Sequence, residues 1–276
     1  VRNLFVAPIL MLVCGCASIA TERMAGQLSM AMLNQDDPEI VRAGAPAYLL
    51  LLDSLIAEDP DDPELLLAGA RLYGAYASAL VAPPGRAAGL TARALNYAER
   101  ALCSATSSLC APRTLAYQDL DEALKEIDDD SASYLYSYAA AWTGWIQARS
   151  EDWGAIAELP KVQLMLERVV ALVPDMDGGR AQLYLAALLS MRPAALGGRP
   201  ERAREHFEAA IRYSRGHDLR AKVEYARRYA RLVFDQGLHD RLLKEVLAAD
   251  PEHAGLTLSN VIAQREAERL LKDDYF

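Results

Sequence analysis

Few residues of this chain have the types and spacings that chemistry needs. Cys103 and Cys110 bracket the six residues Ser-Ala-Thr-Ser-Ser-Leu. In an exported protein that gap permits a disulfide pinning a polar loop; the alternative is two separate thiols, with Cys103 packed in the core. His206, His217, His239 and His253 are too widely spaced for a metal pair on one helix, and none neighbours a cysteine. Asp175-Met176-Asp177-Gly178 opens like a calcium loop, but its twelfth position is Ala186, so the bidentate ligand is missing. Asp128-Asp129-Asp130 reads as a helix break carrying a cap. Leu196-Gly197-Gly198-Arg199-Pro200 reads as a turn between helices, because it lacks the full phosphate-loop motif and the strand that precedes one. A hydrolytic acid would have to be Glu151, Asp152 or Glu158 beside Trp153, and solvated loop acids explain these more simply. With no nucleophile elbow or dinucleotide fingerprint either, the sequence predicts no catalytic residue, no metal and no cofactor.

The charge balance excludes another class. Against 29 basic side chains stand 38 acidic ones, for a net charge of −9, and no Lys/Arg cluster offsets the excess. Phosphate backbones would be repelled, so nucleic acid is not an expected partner.

The elements that must position these residues read as helices. The stretch from Pro38 to Val81 carries two apolar helical patterns hinged on Asp59-Pro60-Asp61-Asp62-Pro63, where Asp62 suits a cap and Pro63 a first helical position. Leu65, Gly69, Leu72, Tyr76 and Leu80 then fall on one face. Neither helix of this hairpin can bury its apolar surface on the other alone, so further helices must stack on it. Ala94, Ala98 and Ala101 share a small-residue spacing with Ala203, Phe207 and Ala210, as in the second helix of a tetratricopeptide repeat. The helix-ending prolines Pro60, Pro174 and Pro251 are irregularly spaced, which predicts degenerate repeats with an irregular insertion near 103–133. Leu135, Tyr138, Trp142 and Trp145 make an aromatic stripe over 131–149, a core pattern that could also line a ligand. Later helices are expected at 160–173, 178–192, 200–215, 217–235, 238–249 and 254–272. On the fourth of these, Val223, Ala226, Ala230 and Val233 fall on one face and Tyr225, Tyr229 and Leu232 on another. The predicted class is all-α, a superhelical stack of helix hairpins with degenerate tetratricopeptide-like repeats.

At the N-terminus, Arg2 precedes an apolar run from Leu4 to Val13, about half the length a membrane span needs, as in a secretory leader. Val13-Cys14-Gly15-Cys16 resembles the lipobox of bacterial lipoproteins. It implies cleavage before Cys16 and acylation of that residue, with the membrane as a partner through the N-terminal lipid. The expected organisation is a signal peptide at 1–15, a lipidated tether and short helix at 16–36, and an all-α domain at 37–276. Ala17 and Ser18 offer no inner-membrane retention aspartate, which favours outer-membrane anchoring in the periplasm.

The hairpin at 38–81 also resembles the opening of the TRAP transporter T-component (TatT) lipoproteins. The likeness continues through AAAWTGWIQARSEDWGAIAELPKV at 139–162, RPAALGGRPERAREHFEAAI at 192–211 and YARLVFDQGLHDRLLKEVLAADPEHAGLTLSNVIAQ at 229–264. The resemblance implies a non-enzymatic periplasmic accessory protein that binds the solute-receptor (P) subunit of a tripartite ATP-independent transporter. It further implies a homotrimer and an apolar passage for a hydrophobic small molecule, with Tyr73, Tyr76, Trp142 and Trp145 as candidate wall residues. The competing readings are a generic repeat adaptor of envelope assembly and an all-α envelope hydrolase.

Overall fold

Asp-Pro pairs set where the helices begin. Asp37 accepts the Glu39 amide and Asp62 accepts those of Glu64 and Leu65, while Pro38 and Pro63 occupy first-turn positions where no N–H is needed. The computed structural model describes residues 27–273 except 82 and 197, and over these it is all-helical, with no strand. The leader and Cys16 lie outside the described residues.

A short helix, α1 (27–33), leads into α2 (Pro38–Glu58), α3 (Pro63–Leu80) and α4 (Pro84–Ala105). The irregular stretch expected near 103–133 contains two 3₁₀ turns, at Ser107–Leu109 and Pro112–Thr114, and a helix beyond those expected, α5 (Tyr117–Leu124). Then come α6 (Ala132–Gln147), the single turn α7 (Trp153–Ile156), α8 (Leu159–Leu172), α9 (Met176–Leu189) and α10 (Pro200–Tyr213). The chain continues through α11 (Leu219–Glu224), α12 (Gln236–Ala248) and α13 (Thr257–Leu271). Asp128 accepts the Ser131 amide in the turn before α6, while the cap position itself is Ser131, which makes no side-chain cap bond.

Packing runs largely in chain order. α3 lies on α2 and α4, α6 on α4 and α8, and α9 on α8 and α10; α3 and α9 also reach α6. Small residues permit the close approaches: Ala94, Ala98 and Ala101 are completely buried, as is Ala203. Gly69 allows another, since a Cβ there would stand 2.8 Å from the Tyr97 ring and 2.9 Å from Ile56 Cδ1. At the start of α9, Asp177, Gly178 and Gly179 take positive φ of 51°, 62° and 92°. A side chain at Gly179 would press within 3.1 Å of the Ala210 backbone, so only glycine fits between α9 and α10.

The stack returns on itself. α13 touches α2, and the Gly255 amide donates to Asn34 Oδ1 at 2.6 Å across 221 positions.

Beyond α11 the chain passes through a π-helical segment, Tyr225–Ala230. The expected buried face holds for Val223, Ala226 and Ala230 but fails at Val233, which is exposed. The π segment changes the angular step per residue, and the helix ends just beyond it, with Phe234 at φ 57°.

Candidate functional site

Pro46 sits inside α2 and has no N–H to give the carbonyl of Arg42, four residues earlier. Tyr76 on α3 reaches that carbonyl with its hydroxyl at 3.4 Å, and Arg42 Nε in turn donates to the Leu80 carbonyl at 3.2 Å. Tyr76 thus answers a backbone defect that the sequence contains, a role the aromatic pattern alone does not reveal. Tyr73 belongs to a different knot. Its hydroxyl and that of Tyr97 each donate to Asp53 at 2.7 Å, Arg93 donates to the same carboxylate at 2.5 Å, and the two rings meet edge to face at 5.9 Å. Burial, then the Asp53 carboxylate, pushes the Tyr97 hydroxyl up to about 12, so it stays a donor. Asp53 was legible only as a lone acid in an apolar helix, because its partners come from α3 and α4.

A second knot lies where α6 meets α8. Trp142 has no solvent exposure, and its Nε1 donates to Glu158 Oε2 at 2.6 Å. Arg113, from the 3₁₀ turn before α5, holds both Glu158 oxygens at 3.1 and 2.9 Å. Its guanidinium carbon lies 4.1 Å from the centre of the half-buried Trp145 ring, and that of Arg149 lies 4.3 Å from it. The hydrogen bond to Glu158, ahead of the cost of burial, raises the affinity of Arg113 for its proton. Alongside, Tyr138 donates to Glu99 at 3.3 Å; its burial, then the negative charge of Glu99, pushes its hydroxyl far up.

The structure therefore pairs Trp142 with Trp145 beneath Arg113, and sets Tyr73 and Tyr76 in separate hydrogen-bond networks on α3. Tyr73 and Tyr76 are buried, like Trp142. Cys103 and Cys110 are bonded to each other, closing the loop after α4. Of the acids considered for hydrolysis, Asp152 caps α7 by accepting the Gly154 amide, and both oxygens of Glu158 accept donors. The backbone carbonyl of Asp175, the first acid of the loop-like 175–178 run, accepts the Gly179 amide, and Asp177 accepts the Tyr136 hydroxyl at 2.9 Å. Among the described residues no group of three or more His, Cys, Asp or Glu side chains could hold a metal ion. His217 and His253, distant in sequence, stack at 4.2 Å because their loops lead into the packed pair α11 and α13.

Two further features arise only in the folded chain. Near the C-terminal end, Glu224 is buried and grips Arg227 at 2.5 Å and Arg228 at 2.6 Å. Burial alone would raise its pKa; Arg228, Arg227 and Arg220 outweigh that and bring it down to about 2. At the N-terminal end, an apolar groove of about 410 Å³ opens between α1 and α2, lined by Leu28, Met32, Ile40, Gly44, Ala47 and Leu51 among others. Its signal was the uncharged run 43–52, unusually apolar for a helix with an outward face.

The fold is an all-helical stack, and its polar side chains are used to tie helices together. In class it is an all-helical protein of packed helix pairs. The model of one family, the TRAP transporter T-component, matches residues 34–276. The chain belongs to that family, which indicates an accessory role in a TRAP transporter. It is also similar to an uncharacterized protein of Treponema pallidum (strain Nichols), 30% identical over 116 residues, or 41% of this chain. The match spans 36% of that protein's length.

Proposed function

We propose that this chain is a lipid-anchored periplasmic component that binds the solute-receptor (P) subunit of its transporter and handles an apolar solute. The observation that carries this reading is the family match over residues 34–276. The leader and the lipobox-like Cys16 support an exported, acylated form, and the Cys103–Cys110 bond suits an oxidising compartment. The helices form a degenerate tetratricopeptide-like superhelix, a reading supported by the fully buried small residues at 94, 98 and 101 and by packing in chain order. Such a stack offers the receptor an extended face. The working assembly is a homotrimer, anchored to the outer membrane by acylated Cys16.

The test is co-purification of the full-length chain with the P subunit encoded beside it, with light scattering on the same sample. A stoichiometric complex and a trimeric mass are expected. A correctly folded pair that fails to associate would return the reading to a generic envelope adaptor.

A further inference from the structure

The residues of α2 that face outward form a continuous apolar stripe. Ile40, Gly44, Ala47 and Leu51 follow one another at helical spacing, with Leu50 beside them, and no charged residue occurs between Arg42 and Asp53. Leu50 is 69% exposed and Ile40 57%. α2 has a window of mean hydropathy 1.5, enough by length and composition for a membrane span, yet only 33% of that window is buried. On α1, the exposed Leu28 adds apolar surface to the same groove. A contiguous patch of this kind on a folded protein marks a surface that something covers.

We propose that the outer face of α2 and the α1–α2 groove rest in the interfacial layer of a zwitterionic lipid bilayer, holding the stack at a fixed orientation. This rests on the acylation of Cys16 assigned under the proposed function. From that residue to the first residue of α1 the chain spans at most about 40 Å when fully extended. The anchor therefore keeps the apolar stripe near the bilayer, and α1, one wall of the groove, is where the tether arrives. Lying flat suits the geometry better than spanning, since the inner face of α2 is committed to α3 through Leu49, Leu52 and Ile56. Charge selects the lipid. The rim carries Asp36, Asp37 and Glu39 at one end and Glu58 and Asp59 at the other, while Arg42 is already paired with Glu39. An anionic surface would repel this rim, whereas a zwitterionic one would not.

The experiment places an environment-sensitive fluorophore at Leu50→Cys, and in a second sample at the exposed Glu205→Cys on α10, in the acylated full chain reconstituted into phosphatidylcholine–phosphatidylethanolamine vesicles. Position 50 is exposed, so labelling should leave the helical spectrum unchanged. A blue shift at 50, with quenching by nitroxide lipids and neither effect at 205, is the expected result. Adding Leu51→Ser and Ile40→Ser should lower the vesicle partitioning of the unacylated Cys16→Ser chain about tenfold or more, given the apolar area removed. A label at 50 that stays in water while the chain remains on vesicles overturns the docking and leaves the anchor intact. A blue shift that needs no vesicles and grows with protein concentration also overturns it, by showing that a second copy covers the face. The anchor is judged separately: a chain carrying Cys16→Ser together with Leu51→Ser and Ile40→Ser that sediments with vesicles as completely as the unaltered chain would refute acylation.

Discussion

Helices α2 and α6 are alike in sequence and opposite in fate. Each contains a long uncharged run, 43–52 in one and 132–147 in the other. α6 is enclosed by α3, α4, α8 and α9, so Tyr138 and Trp142 are completely buried. α2 is covered on the side that faces α3, and its outer leucines remain in water. An apolar run therefore reports that a surface must be covered, while the neighbours supplied by topology decide whether the chain itself covers it.

Replacing the centre of α6 gives the largest expected effect. Trp142→Ala leaves a cavity and strips Glu158 of a donor, so a loss of about 3–5 kcal/mol is expected. In a chain of this size that lowers Tm by roughly 10 °C, readable by calorimetry. An almost unchanged Tm with altered uptake of an apolar probe would break the comparison, because the indole would then line a passage.

Acid tests whether the buried interior depends on charge as well as on apolar packing. Glu224 has its folded pKa depressed to about 2, so its contribution is complete above the ordinary carboxylate range near pH 4.5 and is lost as pH falls toward 2. The shift corresponds to roughly 3 kcal/mol. Glu224→Gln should be less stable at neutral pH and converge with the unaltered chain near pH 2 in urea unfolding. A gap that stays constant with pH would mean that the carboxylate is held by shape and not by its arginines.

The smallest expected effect lies on the open face. Leu50→Ala should change unfolding free energy by no more than about 0.5 kcal/mol in detergent-free dilute solution. A loss above 1 kcal/mol, by the same measurement, would show the face already covered and so erase the contrast with α6.

Much of this was legible because local signals agree with the fold. The Asp-Pro helix starts, the hairpin at 38–81 and the helices after 160 follow from caps, prolines and apolar spacing. Pro46 even announces an orphan carbonyl at Arg42, though not that Tyr76 would answer it. What could not be read were unions between distant parts: Asp53 with two tyrosines, Glu158 with Arg113 and Trp142, and His217 against His253. The π segment was hidden for another reason. Its residues look like an ordinary two-faced helix, and only the backbone reveals that the angular step has changed.

The hydrogen bond between Asn34 and Gly255 also has a consequence in time. Contacts such as α3 with α4 can form as soon as the chain has passed Ala105, but this one waits until α12 and the turn after it have been made. Its loop is long, yet closure entropy grows only by about 0.6 kcal/mol per doubling, so lateness and not cost is the constraint. Until that bond forms, Asn34, just beyond α1, lacks this far-sequence partner, and the wall that α1 contributes to the groove is held without it.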